Sequence, residues 1–183
     1  VTHAVRGSLE ELHLLLDARG PNTATLIEAL ANLRYRLEPR LTALGVETRW
    51  EIDPGAESLV LSAEKTLNVL RIIQECITNS VRHGQARTVT LRIECLDEAP
   101  PGGGHGGNAP SFDISVIDDG IGIDNAVAAT KGGGRGLANI KARAAALAAV
   151  FTLRSGASGT IARLTLRDGA DHRGLNTERA GAT

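Results

Sequence analysis

The sequence predicts an α+β domain, because stretches with a helical spacing of apolar residues are interleaved with shorter stretches of alternating apolar and polar residues. Leucines recur every three or four residues between Leu26 and Leu44, as on the buried face of a helix. The stretch at 46–52 alternates like a half-buried strand. With 183 residues, 42% of them hydrophobic, the chain can bury one core and fits one domain with a helical appendage.

The first predicted helix lies in an N-terminal segment, and the second predicted helix begins the domain. Residues 1–20 carry an apolar stripe at helical spacing, formed by Val5, Leu9, Leu12 and Leu16. We interpret this segment either as the end of a dimerisation stalk or as a helix that packs on its own domain. Asn22 or Thr23 is the expected N-cap of the next helix and Gly45 its stop, so the domain is expected to span 22–167.

A third predicted helix, from about Ser62 to His83, has two chemically different sides. At about 100° per residue, the apolar side carries Leu70, Ile73, Ile77 and Val81. The polar side gathers Arg71, Glu75, Asn79, Arg82 and His83. This helix is therefore expected to have one face in the core and one face available for chemistry.

The second half of the chain predicts four strands and one more helix. The strands are expected at 87–95, 112–117, 150–154 and 160–167, and the helix from Leu137 to about Ala148. The Pro/Gly-rich run Glu98–Ser111 lacks any periodicity, which predicts a mobile hairpin loop. Residues 168–183 are polar and contain glycine, and we expect them to form a flexible tail.

Composition and charge argue against several classes of protein. A formal net charge of −1 provides no field for nucleic acid, and one Trp, one Tyr and two Phe offer few rings for base stacking. Cys76 and Cys95 lie too far apart for a metal pair, which favours two thiols in a reducing compartment. No apolar run approaches the roughly 18 residues of a membrane span, so we expect a cytoplasmic fragment. The absence of Met indicates a piece of a longer protein.

The polar side of the third helix is the first candidate for chemistry. Glu75 and Asn79 are four residues apart, so their side chains adjoin on one face of a helix. A carboxylate and a carboxamide supply oxygen ligands suited to Mg²⁺, which needs few protein groups. Arg82 and His83 could donate to anionic oxygens one turn further on. Taken alone, the pattern also fits an ordinary exposed helix face.

The run DDGIG, at 118–122, follows a predicted strand and is the second candidate. A carboxylate at Asp118 could accept from an exocyclic amine at the end of that strand. Gly120 and Gly122 would let the backbone approach a flat ligand closely. An ordinary turn after a strand would have a similar sequence.

A glycine run before the last predicted helix is the third candidate. The segment comprises Lys131, Gly132, Gly134, Arg135, Gly136 and Leu137. Unpaired N–H groups and the positive dipole end at the start of a helix suit phosphate, and the two cationic side chains add attraction for the same anion. A plain loop before a helix remains the alternative interpretation of this segment.

Together, the three segments resemble the nucleotide-binding fold shared by histidine kinases, gyrase-type ATPases, mismatch-repair ATPases and heat-shock chaperones. Within that group the likeness is strongest to histidine kinases of the nitrate-sensor subfamily. RIIQECITNSVRHGQA, at 71–86, resembles their asparagine box, DDGIGI their first glycine box, and GGGRGLANIKARAAAL, at 132–147, the second. The resemblance covers about Leu26 to Leu166. It implies a two-layer α/β sandwich of the Bergerat type, with helices on one face of a mixed, mostly antiparallel sheet.

The resemblance also implies the roles of individual residues. Asp118 would bind the adenine amino group of ATP, with Gly120, Gly122 and Thr160 nearby, and Asn79 would ligate Mg²⁺. Glu75 would orient or deprotonate the histidine that accepts the phosphate. The segment from about Asp124 to Arg135 would form a lid, and the second glycine box would contact the phosphates.

The same resemblance implies a two-component relay, with a homodimeric parent protein, an upstream phosphoacceptor domain and a response regulator as partners. The family motif of His followed by Asp and then Gly-Gln is absent, and His3 and His13 have other neighbours, so the acceptor is expected upstream. Ala148 and Ala149 stand where relatives tend to carry paired glycines. A serine kinase of the anti-sigma-factor type and a non-enzymatic docking module of the same fold are the alternatives.

Overall fold

Helices and strands follow one another in the predicted order in a computed structural model, which describes residues 25–59, 61–96, 111–122 and 134–167. The elements are α1 (Leu26–Ala43), β1 (Glu47–Ile52), a short 3₁₀ helix (Pro54–Ser58), α2 (Ala63–Arg82), β2 (Thr88–Leu96), β3 (Ser111–Asp118), α3 (Gly134–Ala146), β4 (Val150–Gly156) and β5 (Gly159–Arg167). The predicted α+β class is confirmed.

The five strands form one mixed sheet in the order β1-β2-β3-β5-β4. β1 pairs with β2 in parallel, and the other three pairs are antiparallel. β2 and β3 pair from Val89 with Asp118 to Leu96 with Ser111, so the predicted hairpin is present. The sheet is therefore mostly antiparallel, as the resemblance implied.

One face of the sheet packs against the helices and holds the core. On β3 this face carries Phe112, Ile114 and Val116, all buried. The predicted leucine stripe of α1 is buried at Leu26, Leu30, Leu33, Leu37 and Leu41. Of the predicted core residues of α2, Ile73 and Ile77 are buried, whereas Leu70 and Val81 are only partly buried and pack at the margin. Alternating apolar side chains in the strands thus meet the apolar side of each helix.

The other face of the sheet is polar. Arg92 on β2 forms an ion pair with Glu51 on β1, with 2.7 Å between the guanidinium and carboxylate atoms. The carboxylate of Asp113 on β3 accepts a 2.6 Å hydrogen bond from Thr165 and lies 3.4 Å from the guanidinium of Arg163. Pairs of opposite charge on neighbouring strands stabilise this face of the sheet.

Several predicted boundaries were wrong by a few residues. The N-cap of α1 is Thr25, not Asn22 or Thr23, because Thr25 and Glu28 cap each other's backbone N–H groups at 3.2 and 2.8 Å. The predicted caps Ser62 and Gly45 are confirmed: Ser62 accepts from the backbone of α2, and Gly45 follows α1 at a φ of 76°.

The last helix was also placed wrongly, since α3 covers Gly134–Ala146 and not 137–148. Gly134 and Gly136 belong to its first turn, where backbone N–H groups have no intrahelical partners. The helix ends early because Ala148 adopts a φ of 51° and the N–H of Ala149 donates back to Ala144 at 2.9 Å.

Some predictions fall on residues outside the described ranges. These are the N-terminal segment 1–20, the hairpin loop before Ser111, the segment 123–133 with Lys131 and Gly132, and the tail 168–183. The domain limits of 22–167 therefore stay a prediction.

Candidate functional site

The site is built around the C-terminal half of α2. Ser62 caps the start of this helix, which carries an acidic residue in its first turn and a basic residue in its last turn. Its core side buries Ile72, Ile73, Cys76 and Ile77. This packing fixes the rotation of the helix. It directs Ser80 towards β3 and leaves Glu75 and Asn79 half-buried on the side facing α3.

Asp118, the last residue of β3, is 7% exposed and held by three hydrogen-bond donors. One carboxylate oxygen, Oδ1, accepts from the backbone N–H groups of Gly120 and Thr160, each at 3.0 Å. The other oxygen, Oδ2, accepts from the hydroxyl of Ser80 at 2.6 Å. The structure therefore brings the predicted residues Asp118, Gly120 and Thr160 together at one point.

Asp119, the next residue, has a different environment and a structural role. Its carboxylate accepts from the N–H groups of Arg87 and Thr88 at 2.8 Å each, which ties the start of β2 to the end of β3. The backbone hydrogen bond from Thr88 is the main cause that lowers the pKa of Asp119, while partial loss of solvation acts against it. Of the two adjacent aspartates, Asp118 is the buried one and Asp119 is exposed.

Two glycines of the first glycine box lie against backbone that leaves no room for a side chain. A Cβ on Gly120 would meet the carbonyl of Gly84, which already accepts from Ile121 N–H at 2.8 Å. A Cβ on Gly122, whose φ is 79°, would meet the carbonyl of Gly156. The box is thereby tied both to the end of α2 and to the β4–β5 turn, which shapes the surroundings of Asp118.

Glu75 and Asn79 lie together against the first turn of α3. A Cβ on Gly136 would meet the Glu75 carboxylate and would lie 3.7 Å from the carboxamide nitrogen of Asn79. The absence of a side chain at Gly136 thus allows the start of α3 to approach the polar side of α2. The segments that resemble the second glycine box and the asparagine box therefore meet at this point.

Cys76 is buried on α2, next to Glu75 and one turn before Ser80. Burial, together with the negative charges of Glu75 and Asp118, raises the pKa of its thiol to about 12. Both carboxylates therefore lie within electrostatic range of one buried sulfur. Because Ser80 contacts Asp118 and Glu75 lies against Gly136, one segment of α2, residues 75–80, reaches both ends of the site.

The remaining predicted residues are less closely tied to the site. Arg82 and His83 are exposed at the end of α2, and within the described ranges neither side chain makes a hydrogen bond or ion pair. Leu137 is half-buried in the first turn of α3, where the backbone of Gly134 and Arg135 also lies. Lys131 and Gly132 lie outside the described residues.

Ser80 is the residue that the sequence analysis missed. It is buried on α2 and contacts Asp118, which is 38 residues later in the sequence. A sequence signal did exist, because a hydroxyl stands three residues after Ile77, on the core side of a helix where a small apolar residue would be expected. Its partner could not be identified without the tertiary structure.

A comparison with protein-family models decides the family. The model of the histidine kinase-, DNA gyrase B- and HSP90-like ATPases matches residues 64–170, which includes α2, the Asp118 loop, α3 and the last two strands. The chain belongs to this ATPase family. This match confirms the nucleotide-binding fold that the sequence predicted.

Two curated relatives of this ATPase domain are sensor proteins. The chain is 32% identical over 141 residues to the sensor histidine kinase LnrJ of Bacillus subtilis, an alignment that covers 76% of the chain. It is 26% identical over 97 residues, 52% of the chain, to a NarQ sensor protein homolog of Haemophilus influenzae. The alignments span 30% and 15% of the lengths of these relatives.

Solved structures agree on the fold of the ATPase domain. The histidine kinase domain of a blue-light-activated kinase from Erythrobacter litoralis matches with a TM-score of 0.64 at 17% identity, covering 89% of this chain and 74% of that one. The histidine kinase AdeS of Acinetobacter baumannii matches with a TM-score of 0.60 at 15% identity, covering 91% and 77%. Within the described ranges, no helix is both long and apolar enough to cross a membrane.

Proposed function

We propose that this chain is the ATP-binding catalytic domain of a two-component sensor histidine kinase, which transfers the γ-phosphate of ATP to a histidine of a dimerisation domain. The main support is the juxtaposition on α2: Ser80 reaches Asp118 on one side, while Glu75 and Asn79 lie against the start of α3 on the other. A nucleotide needs such a pair of sites, one for its base and one for its phosphates.

Asp118 is proposed to select adenine. Its carboxylate can only accept hydrogen bonds when ionised, and the 6-amino group of adenine is a donor. Guanine has a carbonyl at the same position, which would face the carboxylate and leave two buried acceptors unpaired, at about 1–3 kcal/mol each. The burial of Asp118 supports this assignment, because water cannot easily replace the missing donor.

The phosphate end is proposed to lie at Glu75, Asn79 and the first turn of α3. The N–H groups of the first turn, at Gly134, Arg135 and Gly136, have no partner within the helix and suit phosphate oxygens. The donor set also fits Mg²⁺, since Asn79 offers a carboxamide oxygen beside the Glu75 carboxylate. Mg²⁺ held by Asn79 would neutralise charge on the phosphates, which is much of what phosphoryl transfer requires.

Glu75 is proposed to act on the acceptor. A carboxylate beside the phosphate site can accept from the ring N–H of an incoming imidazole, which orients the other, unprotonated nitrogen towards the γ-phosphorus. It can take the ring N–H proton as the unprotonated nitrogen bonds to phosphorus and ADP leaves. The dimerisation domain, the homodimeric state of the whole protein and the response regulator belong to this proposal, as does a cytoplasmic location. The sensor histidine kinase named among the relatives supports it.

The adenine assignment is tested with Asp118→Asn. The replacement keeps the size of the side chain but turns one acceptor into a donor, so we expect ATP affinity in the presence of Mg²⁺ to fall about 10- to 100-fold, measured by isothermal titration calorimetry. Asp113→Asn is the matched control, because Asp113 is equally buried on the same strand but faces the opposite side of the sheet. An affinity unchanged by Asp118→Asn would refute the assignment.

The transfer step is tested with Glu75→Gln. With a histidine-containing dimerisation domain of the nitrate-sensor subfamily supplied in trans, we expect the chain to form acid-labile phosphohistidine. Glu75→Gln should slow this transfer about 10²- to 10⁴-fold with little change in ATP affinity. Acid-stable phosphoserine on another substrate would instead favour the serine-kinase alternative.

A further inference from the structure

The side chain of Ser80 is buried against the carboxylate proposed to bind adenine. Ser80 is 6% exposed and Asp118 is 7% exposed, and the hydroxyl oxygen lies 2.6 Å from Oδ2 of Asp118. That distance is typical of a hydroxyl that donates to an ionised carboxylate, one of the stronger hydrogen bonds in proteins. The contact joins α2 to the end of β3.

The Ser80 hydroxyl has one proton and two acceptors within reach. Besides Asp118 Oδ2, the carbonyl oxygen of Cys76 lies 3.1 Å away, in the usual position for a serine that bonds back along its helix. The shorter contact and the negative charge favour donation to Asp118. Asp118 Oδ1 already accepts from Gly120 and Thr160, so the hydroxyl adds the third donor and the first one to Oδ2.

The three donors together fix both the orientation and the hydrogen-bonding character of the carboxylate. Each oxygen can accept about two hydrogen bonds, so Oδ1 is filled and Oδ2 retains one position. Ser80 thus determines where that last position points. Without the hydroxyl, the two backbone donors would still hold Oδ1, but Oδ2 would be free to reorient or to bind water.

We propose that Ser80 is a positioning residue for base recognition, because its hydroxyl orients Asp118 Oδ2 towards the 6-amino group of adenine. The inference rests on the proposed function, since it assumes that Asp118 binds the base. Ser80 would act through Asp118, not by contact with the phosphates. It would therefore contribute only when the bound base carries an amino group for Asp118 to accept from.

The test compares two nucleotides on two variants. Purine riboside triphosphate has hydrogen in place of the 6-amino group of ATP and otherwise keeps its shape. We expect Ser80→Ala to weaken ATP binding about tenfold while the affinity for the analogue changes by less than about twofold, both measured by calorimetry. An equal loss for both nucleotides, or no loss for either, would overturn the inference.

Ser115→Ala is the matched control. Ser115 is also buried, at 2% exposed, and lies on the same strand as Asp118, but it faces the side of the sheet away from the helices. Its hydroxyl has no hydrogen-bond partner within the described ranges. The same chemical change should therefore leave the ratio of the two affinities unchanged, and an equal shift of that ratio would contradict the role of Ser80.

A second variant keeps the proposal testable if Ser80→Ala unfolds the protein. Ser80→Cys preserves the shape but provides a weaker donor, so the preference for ATP over the analogue should fall between those of the wild type and the alanine variant. A wild type that does not distinguish the two nucleotides would refute the role of Asp118 itself. A wild type that distinguishes them and a cysteine variant with unchanged preference would refute only the role of Ser80.

Discussion

The two ends of the site are built in different ways. The adenine end consists of Asp118, at the end of a central strand, and its donors. The carboxylate is fixed by the backbone N–H of Thr160, its partner in the sheet, and by that of Gly120 just after the strand. The phosphate end consists of half-buried side chains on α2 that meet the first turn of α3. One end is thus held by the sheet register and the other by the approach of two helices.

This difference separates recognition from chemistry. A carboxylate with three fixed donors is already oriented before a ligand arrives, so little conformational freedom is lost on binding. Side chains on a helix surface keep rotamer freedom, which suits groups that must adjust to a metal ion, phosphates and an acceptor. We therefore expect changes at the adenine end to affect binding and stability, and changes at the phosphate end to affect transfer.

The largest expected effect concerns the burial of the α2 segment that joins the two ends. The pKa of Cys76 is raised from 9.0 to about 12, so at pH 8 its thiolate should be about a thousandfold rarer than that of an ordinary thiol. In the native protein, a maleimide should label the half-buried Cys95 well before Cys76, as mass spectrometry can measure. Cys95→Ser isolates the Cys76 signal, and rapid labelling of Cys76 in that variant would show that the segment opens readily.

The next effect tests the close backbone contact at the adenine end. In Gly120→Ala the new methyl group would meet the carbonyl of Gly84, which is held by its hydrogen bond from Ile121. We expect a loss of about 1–3 kcal/mol in the free energy of unfolding and a parallel loss of ATP affinity. Urea denaturation measures the first quantity and calorimetry the second.

Gly136→Ala is the matched change at the phosphate end. Here the methyl group would meet the Glu75 carboxylate, which is the far end of a side chain and can move aside. Alanine also favours helix over glycine by up to about 1 kcal/mol, so stability should be unchanged or higher. Displacement of Glu75 should slow phosphate transfer about 10- to 100-fold. If Gly136→Ala destabilised the protein as much as Gly120→Ala does, the distinction between the two ends would fail.

The smallest expected effect lies outside both ends, at the end of α3. Ala148 adopts a φ of 51°, a conformation that costs a residue with a Cβ about 1–2 kcal/mol. Ala148→Gly removes this cost, but the greater freedom of glycine in the unfolded chain offsets part of the gain. The substitution should therefore stabilise the protein by about 0.5–1 kcal/mol. A thermal melt measures the change. ATP affinity and transfer should not change, and a loss of either would show that the end of α3 communicates with the site.

Local patterns in the sequence determined much of the fold and the approximate place of the site. The leucine spacing located α1, strict alternation located the strands, and the helical repeat assigned Glu75 and Asn79 to one face of α2. The family resemblance marked Asp118, and the structure brings it together with Gly120 and Thr160. These features depend on residues close in sequence or on motifs with a characteristic spacing, and both can be recognised in the sequence alone.

Only the tertiary structure decided which distant groups meet. The contact between Ser80 and Asp118 spans 38 residues and depends on how α2 docks on β3. The approach of Gly136 to Glu75 depends in the same way on the packing of α3. Periodicity gives the direction of a side chain relative to its own element, but it carries no information about the neighbouring element. That information arises from the register of the sheet and the shape of the core, which all parts of the chain determine together.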